Sequence, residues 1–122
     1  MNKIYETNVL SVGAMAAGFL ADSQMIVLFG ENAPGDLAAY CYQIKVEPVS
    51  GDVEPGGVLL IDEQEFTITA VGHMVKQNLE TLGHITIAFS GEQVAELPGT
   101  LHVEKSESIQ INPTSVLQIA YR

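Results

Sequence analysis

The chain reads as all-β, a small closed β-barrel carrying one or two short helices, and three observations lead there. Its apolar segments are mostly short and rich in β-branched residues, as expected of half-buried strands. Turn residues separate them at close intervals. Strands and helices do not alternate regularly, which disfavours a doubly wound sheet, and closing the sheet on itself removes exposed edges.

Taken in order, the strand candidates are Lys3 to Val12, Gln24 to Phe29, Tyr40 to Pro48, Gly57 to Ile61, Glu65 to Gly72, His84 to Ser90, Gly99 to Glu104 and Ser115 to Tyr121. Ser50-Gly51-Asp52 and Glu54-Pro55-Gly56-Gly57 break the chain, and Asp62-Glu63-Gln64 is short enough to join two strands as a hairpin. Pro98-Gly99 and Asn112-Pro113 mark two further turns. One helix is expected where Val75, Leu79 and Leu82 recur at i, i+4 and i+7 and Gly83 supplies a left-handed stop. A helical turn follows Pro34, over Gly35 to Tyr40, because proline suits the first turn. No internal repeat and no low-complexity linker is read from the sequence.

With 122 residues the chain is expected to form one domain, residues 1–122, and area scaling predicts a folded surface of about 6,400 Å². The hydrophobic fraction of 47% against 16% charged residues favours a packed globule over a disordered chain. A net charge of −10 repels nucleic-acid phosphates and anionic lipid, so neither is an expected partner. Cys41 is the single cysteine, which fits a reducing compartment, and in the setting Tyr40-Cys41-Tyr42 it reads as an inert core thiol. The apolar stretch Gly13 to Ala21 is too short and lacks the basic flank of a targeting or membrane segment, so the expected location is the cytoplasm, without membrane insertion.

All three histidines, His73, His84 and His102, fall between residues 73 and 102. A neutral imidazole is nucleophilic near neutral pH, since its ordinary pKa is about 6.5. If Ile85, Ile87 and Phe89 face the core, then His84, Thr86 and Ala88 face outward; if Leu101 and Val103 face the core, then Thr100, His102 and Glu104 face outward. Antiparallel pairing symmetric about Val94 would set Thr86 opposite His102 and His84 opposite Glu104, gathering two imidazoles, two hydroxyls and a carboxylate. Such a patch could hold a phosphoryl group, although a polar strand face also carries His and Thr without any function. His84 lies just past the helix end, where carbonyl dipoles disfavour an attached dianion, while His73 reads as a solvent-facing residue. No HxH or HExxH pattern supports a metal site, no G-x-S-x-G elbow supports a serine hydrolase, and the glycines lack nucleotide-binding spacing, so no metal and no cofactor is expected.

Several runs carry a likeness in one order: Ile4-Tyr5, then Phe29-Gly30-Glu31-Asn32-Ala33-Pro34-Gly35-Asp36-Leu37-Ala38-Ala39-Tyr40-Cys41, then Ala70-Val71-Gly72, Asn78-Leu79, Leu82-Gly83-His84 and Leu97-Pro98-Gly99-Thr100-Leu101-His102-Val103. Together they resemble the glucitol/sorbitol-specific enzyme IIA component of the bacterial sugar phosphotransferase system. That resemblance implies a small β-barrel and a cytoplasmic phosphocarrier, which accepts a phosphoryl group on histidine from the carrier protein HPr and passes it to the IIB domain of a glucitol/sorbitol permease. The family usually carries its acceptor histidine soon after the Cys-aromatic pair, whereas this chain reads Cys41-Tyr42-Gln43-Ile44-Lys45. Two readings therefore stand side by side. In one, the acceptor is His84, with His102 second or supporting and Thr86 and Thr100 holding the phosphate; in the other, the chain is a IIA-like binding or regulatory module without phosphotransfer.

Overall fold

The computed structural model describes residues 1–122. In chain order the elements are β1 (Asn2–Val12), α1 (Ala16–Ser23), β2 (Met25–Phe29), α2 (Gly35–Ala38), β3 (Cys41–Ile44), β4 (Val58–Ile61), β5 (Gln64–Val71), α3 (Val75–Thr81), β6 (Ile85–Phe89), β7 (Thr100–Val103) and β8 (Val116–Tyr121). The strands close into a barrel in the order β1-β3-β2-β6-β7-β5-β4-β8. Each expected strand is present, with β3 ending at Ile44 rather than Pro48, and α2 and α3 lie where Pro34 and the Val75-Leu79 period place them. No helix is long and apolar enough to cross a membrane.

Alternation along the strands fills the barrel. Ile26 and Leu28 of β2, Tyr42 and Ile44 of β3, Ile85, Ile87 and Phe89 of β6 and Leu101 and Val103 of β7 are all buried in one core cluster. Burying such a side chain contributes about 1.5–3 kcal/mol each, so this interior drives closure. The folded surface is 6300 Å², close to the value that chain mass predicts. At the β4–β5 hairpin Asp62 adopts φ 56°, and its carboxylate accepts from Ser115 Oγ at 2.8 Å and Val116 N at 2.9 Å, which ties the turn to β8.

Helix α1 is the element that sequence reading leaves out. Its residues, from Ala16 to Ser23, carry no polar face until Asp22, so no 3.6-residue contrast marks it. It stops at Gln24, which takes φ 55° where glycine is the usual signal. Ala16 is buried and Leu20 packs on the core, four residues apart on one face.

The barrel also contains an internal duplication that the sequence reading misses. The parallel pairs Val27 with Cys41 and Leu28 with Tyr42 recur, each shifted by 59 residues, as Thr86 with Thr100 and Ile87 with Leu101. Gly13 N donates to Cys41 O at 2.9 Å, and Gly72 N donates to Thr100 O at 2.9 Å. A Cβ on Gly13 would lie 2.3 Å from Ala38 O, and one on Gly72 would lie 2.3 Å from Pro98 O. The left-handed residues that end α1 and α3, Gln24 and Gly83, match as well. Only scattered identities such as Val12-Gly13 with Val71-Gly72 and Met15 with Met74 survive in the side chains. The seam is β2–β6, where Ile26 pairs with Ile87 and Leu28 with Ile85, two pairs that the same shift exchanges.

Strands β6 and β7 are parallel, which corrects the antiparallel register expected about Val94. The connection between Phe89 and Thr100 is ten residues long, enough to carry the chain back along the outside of the sheet and start β7 beside the beginning of β6. Thr86 therefore pairs with Thr100 and Ala88 with His102. His84 is not opposite Glu104, whose carboxylate instead accepts from Thr67 N at 2.7 Å.

Candidate functional site

Outward residues of β2, β6 and β7 form the floor of a cavity of about 330 Å³: Met25 and Val27, Thr86 and Ala88, Thr100 and His102. The segment from Ser90 to Gly99 walls it with Glu92, Val94, Glu96 and Leu97, and Phe19 of α1 closes another side. The cavity exists because Ala88, directly paired with His102, is small. Parallel pairing sets the two threonines side by side, with Thr100 buried and Thr86 half-buried.

His102 is half-buried, and its Nδ1 lies 2.7 Å from Ser90 Oγ. Ser90 Oγ also accepts from Glu92 N at 3.2 Å, which fixes the hydroxyl at the start of the wall. With Nδ1–H donated to the serine oxygen, Nε2 carries the free lone pair; the hydroxyl makes this tautomer available and a carbonyl in its place would force it. Neither Lys nor Arg lines the cavity, and Glu92 and Glu96 make its rim acidic.

His84 lies elsewhere. Its Nδ1 is 3.2 Å from Leu28 O, and since a carbonyl only accepts, that nitrogen carries the proton. The ring packs on Phe29 with centroids 4.3 Å apart and planes 31° apart. Shifted back by 59 residues, the His102 site falls on a smaller cavity of about 120 Å³ that Phe29, Cys41 and Gln43 help line. Phe29 there pairs with Gln43 as Ala88 pairs with His102, and it occupies the space that Ala88 leaves open. Burial pushes the Cys41 thiol above its ordinary pKa, so it is a poor nucleophile.

Of the four residues expected at a site, the structure brings His102, Thr86 and Thr100 into one cavity and leaves His84 at the opposite end of β6. His73 is exposed. No cluster of three or more His, Cys, Asp or Glu side chains is arranged to hold a metal. Sequence reading missed Ser90, Ala88 and Phe19. Ser90 reaches His102 only because β6 and β7 run parallel, and the ten-residue connection between them was the one signal that could have pointed to it.

A family profile described as the PTS system glucitol/sorbitol-specific IIA component matches residues 4–118. Two relatives described as PTS system glucitol/sorbitol-specific EIIA components, from Shigella flexneri and from Escherichia coli strain K12, are each 39% identical over 118 residues, covering 97% of this chain and 95% of theirs. A crystal structure of a PTS system IIA component from Enterococcus faecalis V583 superposes with a TM-score of 0.79 over 95% of this chain and 99% of that one; at 20% identity it speaks to the fold alone. The expected all-β class and the resemblance read from Leu-Gly-His and Pro-Gly-Thr-Leu-His agree with these matches, and the chain belongs to the glucitol/sorbitol-specific IIA component family of the phosphotransferase system.

Proposed function

We propose that this protein is a phosphocarrier that accepts a phosphoryl group from the phosphohistidine of HPr onto Nε2 of His102 and passes it to the IIB domain of a glucitol/sorbitol permease, in the cytoplasm. The observation that carries the reading is one cavity holding an imidazole and two threonines side by side. In the transfer the donor's phosphorus–nitrogen bond breaks while a bond forms from phosphorus to His102 Nε2. The donor imidazole leaves with the electron pair, and Nδ1–H stays with Ser90 Oγ. Such a transfer needs positioning more than acid-base machinery. Thr86 and Thr100 supply hydroxyl donors to the phosphoryl oxygens. Glu92 and Glu96 oppose a dianion on the histidine, so the phosphorylated state is held at raised energy and is readily handed on.

The sequence puts His84 first as acceptor and His102 second, and the geometry supports the reverse order. His84 packs on Phe29 with its ring tilted by 31°, its Nδ1 is taken up by Leu28 O, and it does not line the cavity that holds Thr86 and Thr100. The test is to incubate the protein with phosphoenolpyruvate, enzyme I and HPr and to map the acid-labile phosphate by mass spectrometry. His102→Gln should abolish labelling, whereas His84→Gln should retain most of it. Labelling that survives His102→Gln unchanged would sink this assignment.

The second reading, a binding or regulatory module without phosphotransfer, is favoured by one observation: Gln43 and Ile44 stand after the Cys-aromatic pair where the family usually carries a histidine. A protein that binds HPr or IIB and never gains the mass of a phosphoryl group would establish it.

A further inference from the structure

We infer that a second cavity, between α1 and the chain that follows β7, binds a small uncharged molecule with a ring-sized apolar face and a carbonyl or hydroxyl oxygen. About 500 Å³ lies open there, within the range of ligand sites. Ala17, Leu20 and Ala21 form one wall, and Ile109 and Ile111 the other. Helix α1 separates it from the His102 cavity, which Phe19 lines while Leu20 lines this one. The far wall is pinned in place: Gln110 N donates to Gln64 Oε1 at 3.0 Å, Gln64 Nε2 donates to Gln110 O at 2.7 Å, and Asn112 N donates to Ser115 Oγ at 2.9 Å. The space is therefore preformed.

In the duplicated frame the same place on the other helix is filled by the chain itself. The counterpart of Leu20 is Leu79, which is fully buried, and those of Ser108 and Asn112 are Val49 and Val53, both in the core cluster. Ala17 and Ile111 correspond to Lys76 and Asp52, an ion pair at 3.6 Å. Beside α1 nothing covers the apolar wall, and Leu20, Ile109 and Ile111 stay half-buried. Tyr42, where the other half has Leu101, gives this cavity its polar anchor. It is 1% exposed and lines the cavity, and its hydroxyl, unlike that of Tyr5, is not sealed in the core. Burial raises its pKa with no hydrogen bond contributing, so the O–H stays protonated and is free to donate to a ligand oxygen. Gln24 and Glu107 line the same cavity and can accept from a ligand N–H. Neither Lys nor Arg does, and with a net charge of −10 the chain repels an anion.

Benzamide is the probe, since it joins an apolar ring to a carbonyl acceptor and an N–H donor, and benzoate is its anionic match in shape. Titrated into the parent chain, benzamide should shift the methyl NMR signals of Leu20, Ile109 and Ile111 to saturation, and benzoate should bind at least roughly tenfold more weakly. Tyr42→Phe, which removes only the hydroxyl, should weaken benzamide binding about fivefold. Ala17→Leu, at an exposed position of α1 that leucine suits, should fill the space and abolish binding. Methyl signals that never saturate, or a saturation that Ala17→Leu leaves untouched, would overturn the site. Equal binding of benzoate, or an unchanged affinity in Tyr42→Phe, would overturn the class of ligand.

Discussion

Two cavities on the outside of the β2–β6 seam occupy equivalent places in a duplicated frame, yet they hold different chemistry. In the second half Ala88, Thr100 and His102 leave about 330 Å³ open; in the first, Phe29, Cys41 and Gln43 leave about 120 Å³. The backbone pairing is the same in both, residue for residue. A fold built twice thus offers two sites, and the size of one side chain, alanine or phenylalanine, decides which is open. The polar partners come from different places in the frame: Ser11 Oγ of β1 donates to Gln43 Oε1 at 2.7 Å, whereas Ser90, just past β6, lies 2.7 Å from His102 Nδ1.

The sharpest way to break the equivalence is to load its two tight turns. Gly13→Ala and Gly72→Ala each drive a methyl group to 2.3 Å from a backbone carbonyl oxygen, and each should destabilise the barrel by about 3 kcal/mol. Urea denaturation of the two variants should give matching losses; a well-tolerated alanine at either position would refute the claim that the two turns do the same work.

Next in size is Ala88→Phe, which copies the closed site into the open one. Since the frame already holds Phe29 in this place, stability should change by less than about 1.5 kcal/mol. Phosphoryl labelling of the variant should nonetheless fall by roughly a hundredfold, because a ring fills the space a phosphoryl group needs. A variant that folds and still accepts phosphate at the parent rate would remove the cavity from the mechanism.

The smallest effect separates the halves by pH. Burial raises the pKa of Tyr5, Cys41 and Tyr42 in the first half, whose counterparts Gln64, Thr100 and Leu101 do not titrate, and in the second half it raises Tyr121 alone. A folded-state pKa above the unfolded one means that stability is complete below the unfolded values, 9.0 for the cysteine and 10.0 for the tyrosines, and is lost as pH rises through the folded values. Denaturant midpoints should therefore hold steady from pH 7 to about 9 and decline above. Tyr42→Leu, which installs the second half's residue, should shrink that decline; an identical alkaline profile would show that the loss arises elsewhere.

Period-two alternation with β-branched residues marked the strands, and Val75, Leu79 and Gly83 marked α3, because these features act over a few neighbouring residues. Family membership was readable for the same reason: Leu82-Gly83-His84 and Pro98 to His102 are contiguous runs. Helix α1 was not readable, since Ala16 is its only buried residue, no polar face contrasts with it, and a glutamine performs its left-handed stop. The duplication escaped too. It is conserved as hydrogen bonds and turns, from Gly13 to Cys41 and from Gly72 to Thr100, rather than as side chains.

The local alternation of β7 already set Thr100 and His102 on the outside and Leu101 and Val103 in the core, and so the chain alone determined which residues could meet a ligand. Which of them meet each other was decided by the direction of β7 against β6. A one-dimensional pattern gives a strand its faces but not its polarity relative to a neighbour ten residues away, and both pairings bury the same apolar side chains. Only closure of the whole barrel, with β7 also paired to β5, selects the parallel arrangement that parts His84 from Glu104 and sets His102 beside Ser90.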